Sequence, residues 1–172
     1  MSFLQLAKER HSMRKYEKRE VEEEKLKTIL EAGRVAPTAH NNQPCIFLVL
    51  KGQEALGKVG KACRAFDAPL VIVVCADTST VWVRSYDNMK TIDIDSSIAT
   101  DHMMLCAQDL GLSSCWINYF NPAIVREEFK IPDNIIPVNI LAIGYGADTP
   151  KSPDRHSETR KPLEAMVRYS SF

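Results

Sequence analysis

The chain has 172 residues, of which 45% are apolar, and its 22 lysines and arginines balance 22 aspartates and glutamates to a net charge of zero. That length and apolar content predict one domain over residues 1–172 with a sizeable core. The charge balance excludes a general nucleic-acid or membrane-surface binder, which needs a basic excess, and no apolar run approaches the ~20 residues of a membrane span.

Ser2 and Gln5 make a capping-box pattern around Phe3 and Leu6, which predicts a short helix to about Glu9. A basic, irregular stretch follows. The next helix opens near Val21, with Glu22, Glu23 and Glu24 in its first turn where the macrodipole favours them. Leu26, Ile29, Leu30 and Gly33 keep its period, and it ends near Val35 because Pro37 disfavours the α region for Ala36. CIFLVLK from Cys45 predicts a strand, and Gln53 to Phe66 a helix. PLVIVVCAD from Pro69 predicts a strand buried on both faces. Thr78 to Lys90 reads as a polar loop carrying Trp82 and Tyr86. Ile92 to Leu110 reads as a long helix stopped by Gly111. SCWINYF predicts a strand, Asn121-Pro122 opens a short helix to Phe129, and VNILAIGYG predicts the last strand. The remainder is polar and proline-containing, ending in the amphipathic PLEAMVRY. On alternation alone, the pattern predicts an α/β doubly wound domain with a parallel sheet.

Several clusters carry groups suited to a ligand. Arg10, Ser12 and Arg14, with His11 among them, offer guanidinium forks and a hydroxyl, the donors a phosphate monoester needs. A solvated basic turn paired with the following glutamates fits them as well. In APTAHNNQP, residues 36–44, the Asn and Gln amides suit the donors and acceptors of a heterocycle edge, and Pro37 fixes a backbone able to lie flat on a ring. An ordinary helix-to-strand connector fits the same residues. Trp116, Ile117 and Asn118 lie in SCWIN, which also reads as a core strand. Gly144 and Gly146 allow close backbone approach. Pro150 and Pro153, however, bar the helix that a dinucleotide-binding glycine turn must open, which excludes a Rossmann site. Arg160 and Lys161 add positive charge near the end of the chain.

There is no Gly-x-Ser-x-Gly elbow, P-loop or His-Glu-x-x-His. Cys45 follows His40 by five residues across a proline and opens an apolar strand, which argues for a structural thiol over a nucleophile. Cys45, Cys63, Cys75, Cys106 and Cys115 include no CxxC, iron–sulfur or zinc spacing. They predict free thiols in a reducing cytoplasm, and the mixed N-terminal residues predict no secretory signal.

Taken together, the order Arg-x-Ser-x-Arg-x-Tyr, Ala-Pro-Thr-x-x-Asn-x-Gln-Pro, an Asp-led helix, Gly-Leu-Ser-Ser-Cys-Trp-Ile, Ile-Gly-Tyr and Arg-Lys-Pro-Leu-Glu resembles the nitroreductase family of FMN-dependent oxidoreductases. The resemblance runs from about Phe3 to Val167. It implies an α+β sandwich around a mostly antiparallel sheet flanked by helices, in place of the parallel sheet. It also implies an intertwined homodimer whose tail, about 147–172, packs on the partner.

One FMN per subunit would then lie at the dimer interface. Arg10, His11, Ser12 and Arg14 would hold its phosphate and ribityl chain, with Asn41 and Gln43 on the ribityl and pyrimidine side. Pro37, Thr38 and Ala39 would line the partner's flavin. Trp116, Ile117 and Asn118 would pass the N5 edge, Gly144 to Gly146 would sit near the phosphate end, and Arg160 with Lys161 would close over the phosphate. Thr38 stands where serine is usual and Cys45 where an aromatic is frequent, while the short segment after the second strand implies an open pocket.

The implied activity passes hydride from NADH or NADPH through the flavin to a nitroaromatic, quinone or similar small-molecule acceptor by a ping-pong mechanism, with no catalytic side chain. Trp82, Tyr86, Tyr119 and Phe120 are candidate substrate walls, with core aromatics as the alternative. His40 and Asn42 are expected to be structural. Rival readings are a flavin-dependent dehalogenase or flavin-breakdown enzyme, a non-catalytic dimeric flavin-binding protein, and a cysteine hydrolase.

Overall fold

One of the two inner strands of a four-stranded sheet carries the sequence's longest apolar run. In the computed structural model, which describes residues 1–172, the elements in chain order are α1 (Phe3–Glu9), α2 (Glu23–Arg34), β1 (Cys45–Lys51), α3 (Gly52–Gly60), β2 (Leu70–Asp77), α4 (Ile92–Asp109), β3 (Ser113–Ile117), α5 (Pro122–Phe129), β4 (Ile135–Gly144) and α6 (His156–Thr159). Short 3-10 turns lie at 39–41, 153–155 and 163–165.

The four strands lie in the order β1-β2-β4-β3, and every neighbouring pair is antiparallel. The α+β sandwich is therefore the architecture, and the parallel, doubly wound expectation from alternation is wrong. The reason is physical. Side chains of β2 alternate between two cores: Val71, Val73 and Cys75 face one, Leu70, Ile72 and Val74 the other. The first core is closed by Val59 of α3 and Val125 of α5, the second by Ile29 of α2 and Met103 of α4. A strand covered twice is apolar throughout whichever way its neighbours run. Each fully buried Val, Ile or Met side chain contributes roughly 1.5–3 kcal/mol of transfer free energy.

Local signals fix the ends. Ser2 Oγ accepts the Gln5 N–H at the start of α1. Asn121 Oδ1 accepts from Ala123 and Ile124 at the start of α5. Gly111, at φ +74°, lets α4 close through Leu112 N–H to Ala107 C=O at 2.9 Å. Helix α3 stops at Gly60, short of the expected Phe66: Gly57 and Gly60 weaken its end. The chain then turns through Phe66 and Asp67, both at φ 58°. Strand β3 also ends early, at Ile117, where the Trp116 indole N–H turns to Asn118 Oδ1 at 2.9 Å. Beyond α6 the chain forms only the turn Leu163–Ala165 and leaves Leu163, Met166, Tyr169 and Phe172 exposed.

The segment after α1 docks on the sheet edge. Ser12 bridges Ser114 of β3, the Met13 N–H donates to the Ser114 carbonyl, and Tyr16 bridges Gly146. Met13 and Tyr16 are buried, and the Tyr16 hydroxyl donates to the carbonyls of Met13 (3.1 Å) and Ala142 (3.3 Å). Burial pushes that phenol's pKa far up, so it stays a donor at all ordinary pH.

Candidate functional site

With Met13 and Tyr16 turned inward, Ser12 and Arg14 face outward beside Arg10. They form one wall of a cleft of about 280 Å³ lined by Arg10, His11, Ser12, Arg14, Lys151, Arg155, His156, Thr159 and Arg160. Five of these carry a positive charge, none is acidic, and none is in an ion pair within the chain. The lining thus offers guanidinium forks, an ammonium and two hydroxyls to a dianion. Burial, then the nearby Arg155 and Arg160, hold Arg10 below the usual arginine pKa. This like-charge crowding is relieved by an anion.

The second wall comes from the tail, which sequence reading reached only at Arg160. Arg155 locks it in place, donating to the carbonyls of Lys8 (2.9 Å), Ser152 (2.8 Å) and Arg10 (2.7 Å). His156 Nε2 lies 3.1 Å from the Lys8 carbonyl as well. The cue was present: Ser152 caps the following turn, accepting from Asp154 N–H at 3.1 Å, with Pro153 in the first turn. Lys161 is exposed and lies outside the lining. Gly144 and Gly146 lie beneath it: a Cβ on Gly146 would meet Met13 Cε at 2.5 Å, and one on Gly144 would meet Pro69 Cδ at 2.7 Å. They let the Arg10–Arg14 segment lie against β4 and do not themselves line the cleft. A larger neighbouring cleft of about 1260 Å³ shares Arg14, but there Lys15, Lys18 and Arg64 are mixed with Glu20, Asp67 and Asp148.

The 36–44 loop is separate from this cleft within one chain. His40, Asn41 and Gln43 adopt left-handed conformations, at φ 53°, 55° and 53°. The loop is pinned from outside. Ala39 N–H donates to Asp95 Oδ1 at 3.0 Å, Asn42 Nδ2 donates to the Thr80 carbonyl at 2.9 Å, and His40 stacks on Trp82. Thr38 Oγ1 accepts the Gln43 N–H at 3.1 Å. The His40 and Asn42 side chains are thus engaged in holding the loop, while the Asn41 and Gln43 side chains are exposed.

The third segment is anchored in the core. Trp116 Nε1 also donates to Asn139 Oδ1 at 3.0 Å, Ile117 is buried, and Asn118 is exposed. Of the candidate substrate walls, Trp82 is held against His40, Phe120 packs on the first core, and Tyr86 and Tyr119 project into solvent. All five cysteines are free. Burial raises the pKa of each, to about 11 for Cys45 and Cys75. None is a thiolate nucleophile at neutral pH.

An antiparallel α+β sandwich carries at its sheet edge a carboxylate-free, arginine-rich cleft whose donors suit a phosphorylated ligand. The chain belongs to the nitroreductase family, whose sequence profile, described as "Nitroreductase family", matches residues 7–66 and 56–145. It is similar to a nitroreductase family protein from Clostridium difficile 630, with 50% identity over 100% of both chains and a TM-score of 0.98. It is also similar to an FMN-dependent nitroreductase from Clostridium difficile R20291, with 29% identity over 99% of this chain and 100% of that one, at a TM-score of 0.81. A Bacillus subtilis protein named FMN reductase (NAD(P)H) is 25% identical, covering 94% of this chain and 70% of its own length.

Proposed function

We propose that the protein is an NAD(P)H-dependent FMN oxidoreductase that reduces a nitroaromatic, quinone or similar small acceptor by a ping-pong mechanism. The observation that carries this reading is the cleft itself, where five cationic side chains meet without one carboxylate. That donor set fits the phosphate monoester of FMN. When bound, FMN supplies the hydride chemistry, accepting from NADH or NADPH and delivering to the acceptor.

The chain's own residues bind and orient. Arg10, Arg14, Lys151 and Arg160 offer charge-assisted donors, Ser12 and Thr159 hydroxyls, and Arg155 holds the two walls together. In a homodimer the 36–44 loop serves two sites, Pro37 to Ala39 facing the partner's cofactor and Asn41 and Gln43 the chain's own. Exposed Phe3, Leu4, Val35, Ile94, Leu163, Met166, Tyr169 and Phe172 give such a dimer its apolar surface, and the 147–172 tail packs on the partner. No helix is long and apolar enough to cross a membrane, and five unpaired cysteines suit a reducing cytoplasm.

The test is a visible spectrum of the purified protein, before and after adding FMN, followed by NADH or NADPH oxidation with a nitroaromatic acceptor. Flavin absorbance and steady turnover are expected. A protein that stays colourless with added FMN sinks the reading. One that retains FMN without turnover with either nucleotide is a flavin-binding protein instead.

A further inference from the structure

We propose that Asp95 is a positioning residue, whose buried carboxylate holds the 36–44 loop in the form that meets the flavin. The proposal rests on the FMN reading above. Asp95 is 1% exposed and lies in the first turn of α4. Its Oδ1 accepts the Ala39 N–H at 3.0 Å and its Oδ2 accepts the Thr91 hydroxyl at 2.9 Å. No lysine, arginine or histidine pairs with it. A buried carboxylate without a cation is unfavourable unless hydrogen bonds and a helix N-terminus compensate it. It contributes nothing to the apolar cores. Its link to Ala39 instead joins parts of the chain 56 residues apart, while its link to Thr91 is local.

Those links converge on the loop. Thr91 also donates its backbone N–H to the Trp82 carbonyl at 3.1 Å, and Trp82 stacks on His40. Asp95 thus reaches the loop directly through Ala39 and indirectly through Thr91, Trp82 and His40. The loop needs both restraints, since His40, Asn41 and Gln43 are non-glycine residues in the left-handed region. Without external anchors such a backbone relaxes, and the exposed amides of Asn41 and Gln43 lose their orientation.

The same helix also fixes the 116–118 segment. Thr100 Oγ1 accepts from Asn139 Nδ2 at 3.2 Å, and Asn139 Oδ1 accepts from Trp116 Nε1 at 3.0 Å. Thr100 and Asn139 are buried. Helix α4 is therefore a common frame for both segments, and Asp95 is its attachment to the loop.

Asparagine retains an acceptor for Ala39 and turns its amide N–H toward Thr91 Oγ1, leaving the Thr91 hydroxyl free to donate to Trp82. Alanine removes both links. The experiment titrates apoprotein with FMN, reading flavin fluorescence and the visible spectrum of the bound flavin, alongside urea denaturation of each apoprotein. Asp95→Ala is expected to weaken FMN binding about tenfold or more and Asp95→Asn to stay within about threefold of wild type.

Wild-type FMN affinity in a folded Asp95→Ala protein overturns the proposal, whatever happens to its urea midpoint. If Asp95→Ala does not fold, Thr91→Val decides. It removes one of the two links, so weakened FMN binding supports the proposal and unchanged binding overturns it. A wild-type protein that binds no FMN overturns the FMN reading and this proposal together, whereas FMN binding that is kept unchanged in the variants overturns this proposal alone.

Discussion

The His40 imidazole lies nearly parallel to the Trp82 indole, with ring centroids 5.4 Å apart and planes inclined by 12°. An aromatic pair of this kind contributes about 0.5–1.5 kcal/mol beyond its area, against a left-handed conformation at His40 that costs a non-glycine residue about 1–2 kcal/mol. His40→Ala loses the stack and keeps the strain. His40→Gly loses the stack and relieves the strain. The glycine variant should therefore be the more stable by about 1 kcal/mol, read as urea midpoints. The opposite order would mean that the loop relaxes out of the left-handed form once the ring is gone.

Arg10 and Arg155 line the same cleft but have different work. The Arg10 side chain makes no hydrogen bond within the chain and is crowded by Arg155 and Arg160. Arg10→Ala should raise the FMN dissociation constant roughly 10- to 100-fold, the worth of a charge-assisted hydrogen bond, and leave the denaturation midpoint unchanged or slightly higher. Arg155 uses its donors on three carbonyls, of which those of Lys8 and Arg10 join the tail to the N-terminal segment. Arg155→Ala should lower stability by about 1–3 kcal/mol and weaken FMN as well. Calorimetric unfolding with FMN titration separates the two, and an Arg10→Ala protein that binds FMN like wild type would place the phosphate elsewhere.

Glu22 ties the start of α2 to the end of β4. Its carboxylate accepts the Tyr145 hydroxyl at 2.8–2.9 Å and pairs with Arg19 at 2.6 Å. Its own backbone N–H first, then the Tyr145 hydroxyl, then Arg19 hold its pKa at about 2, below the ordinary 4.5. A depressed folded-state pKa means that the stabilisation is complete above about pH 4.5 and is lost as pH falls toward about 2. Asp77 and Asp87 are lowered too, so the informative quantity is a difference between proteins. Tyr145→Phe should move the acid-unfolding midpoint upward from wild type, followed by far-UV circular dichroism. An unchanged midpoint would show that the backbone and Arg19 suffice.

What was legible in the sequence divides along a physical line. Periodicity and caps are local, so the Ser2 and Asn121 caps, the Gly111 stop and the strand at Leu70–Asp77 were readable within a few residues. Strand direction is not local. β2 looks the same with parallel or antiparallel neighbours because both its faces are covered, and only the joint resemblance of the motifs corrected the pattern. In the cleft, Arg10, Ser12 and Arg14 were visible as one cluster. Lys151, Arg155, His156 and Thr159 sit in a polar tail without periodicity and become a wall only when Arg155 fastens it to Lys8 and Arg10. Asp95 carries no local signal for its role, because its partner Ala39 is 56 residues away.

The two glycines of Gly-Tyr-Gly give a graded test of how the Arg10–Arg14 wall of the cleft is seated. A Cβ at Gly144 would approach Pro69 Cδ to 2.7 Å, with Tyr16 Cδ1 at 3.0 Å. Pro69 Cδ is bonded to its own backbone nitrogen, and the buried Tyr16 ring is held by the two hydrogen bonds of its hydroxyl. A Cβ at Gly146 would approach Met13 Cε to 2.5 Å and Ser113 Oγ to 2.7 Å. Those are the ends of side chains that can rotate, and methionine adapts readily. The shorter distance therefore belongs to the milder substitution. Gly144→Ala should cost about 1–3 kcal/mol as overpacking, and Gly146→Ala less. FMN affinity should respond in the reverse order, because Met13 is flanked by Ser12 and Arg14, and displacing it moves both cleft residues. Paired measurements of unfolding free energy and FMN dissociation constant on the two variants test this crossing. If stability and FMN affinity fall together in the same order, the glycines serve only the packing of β4.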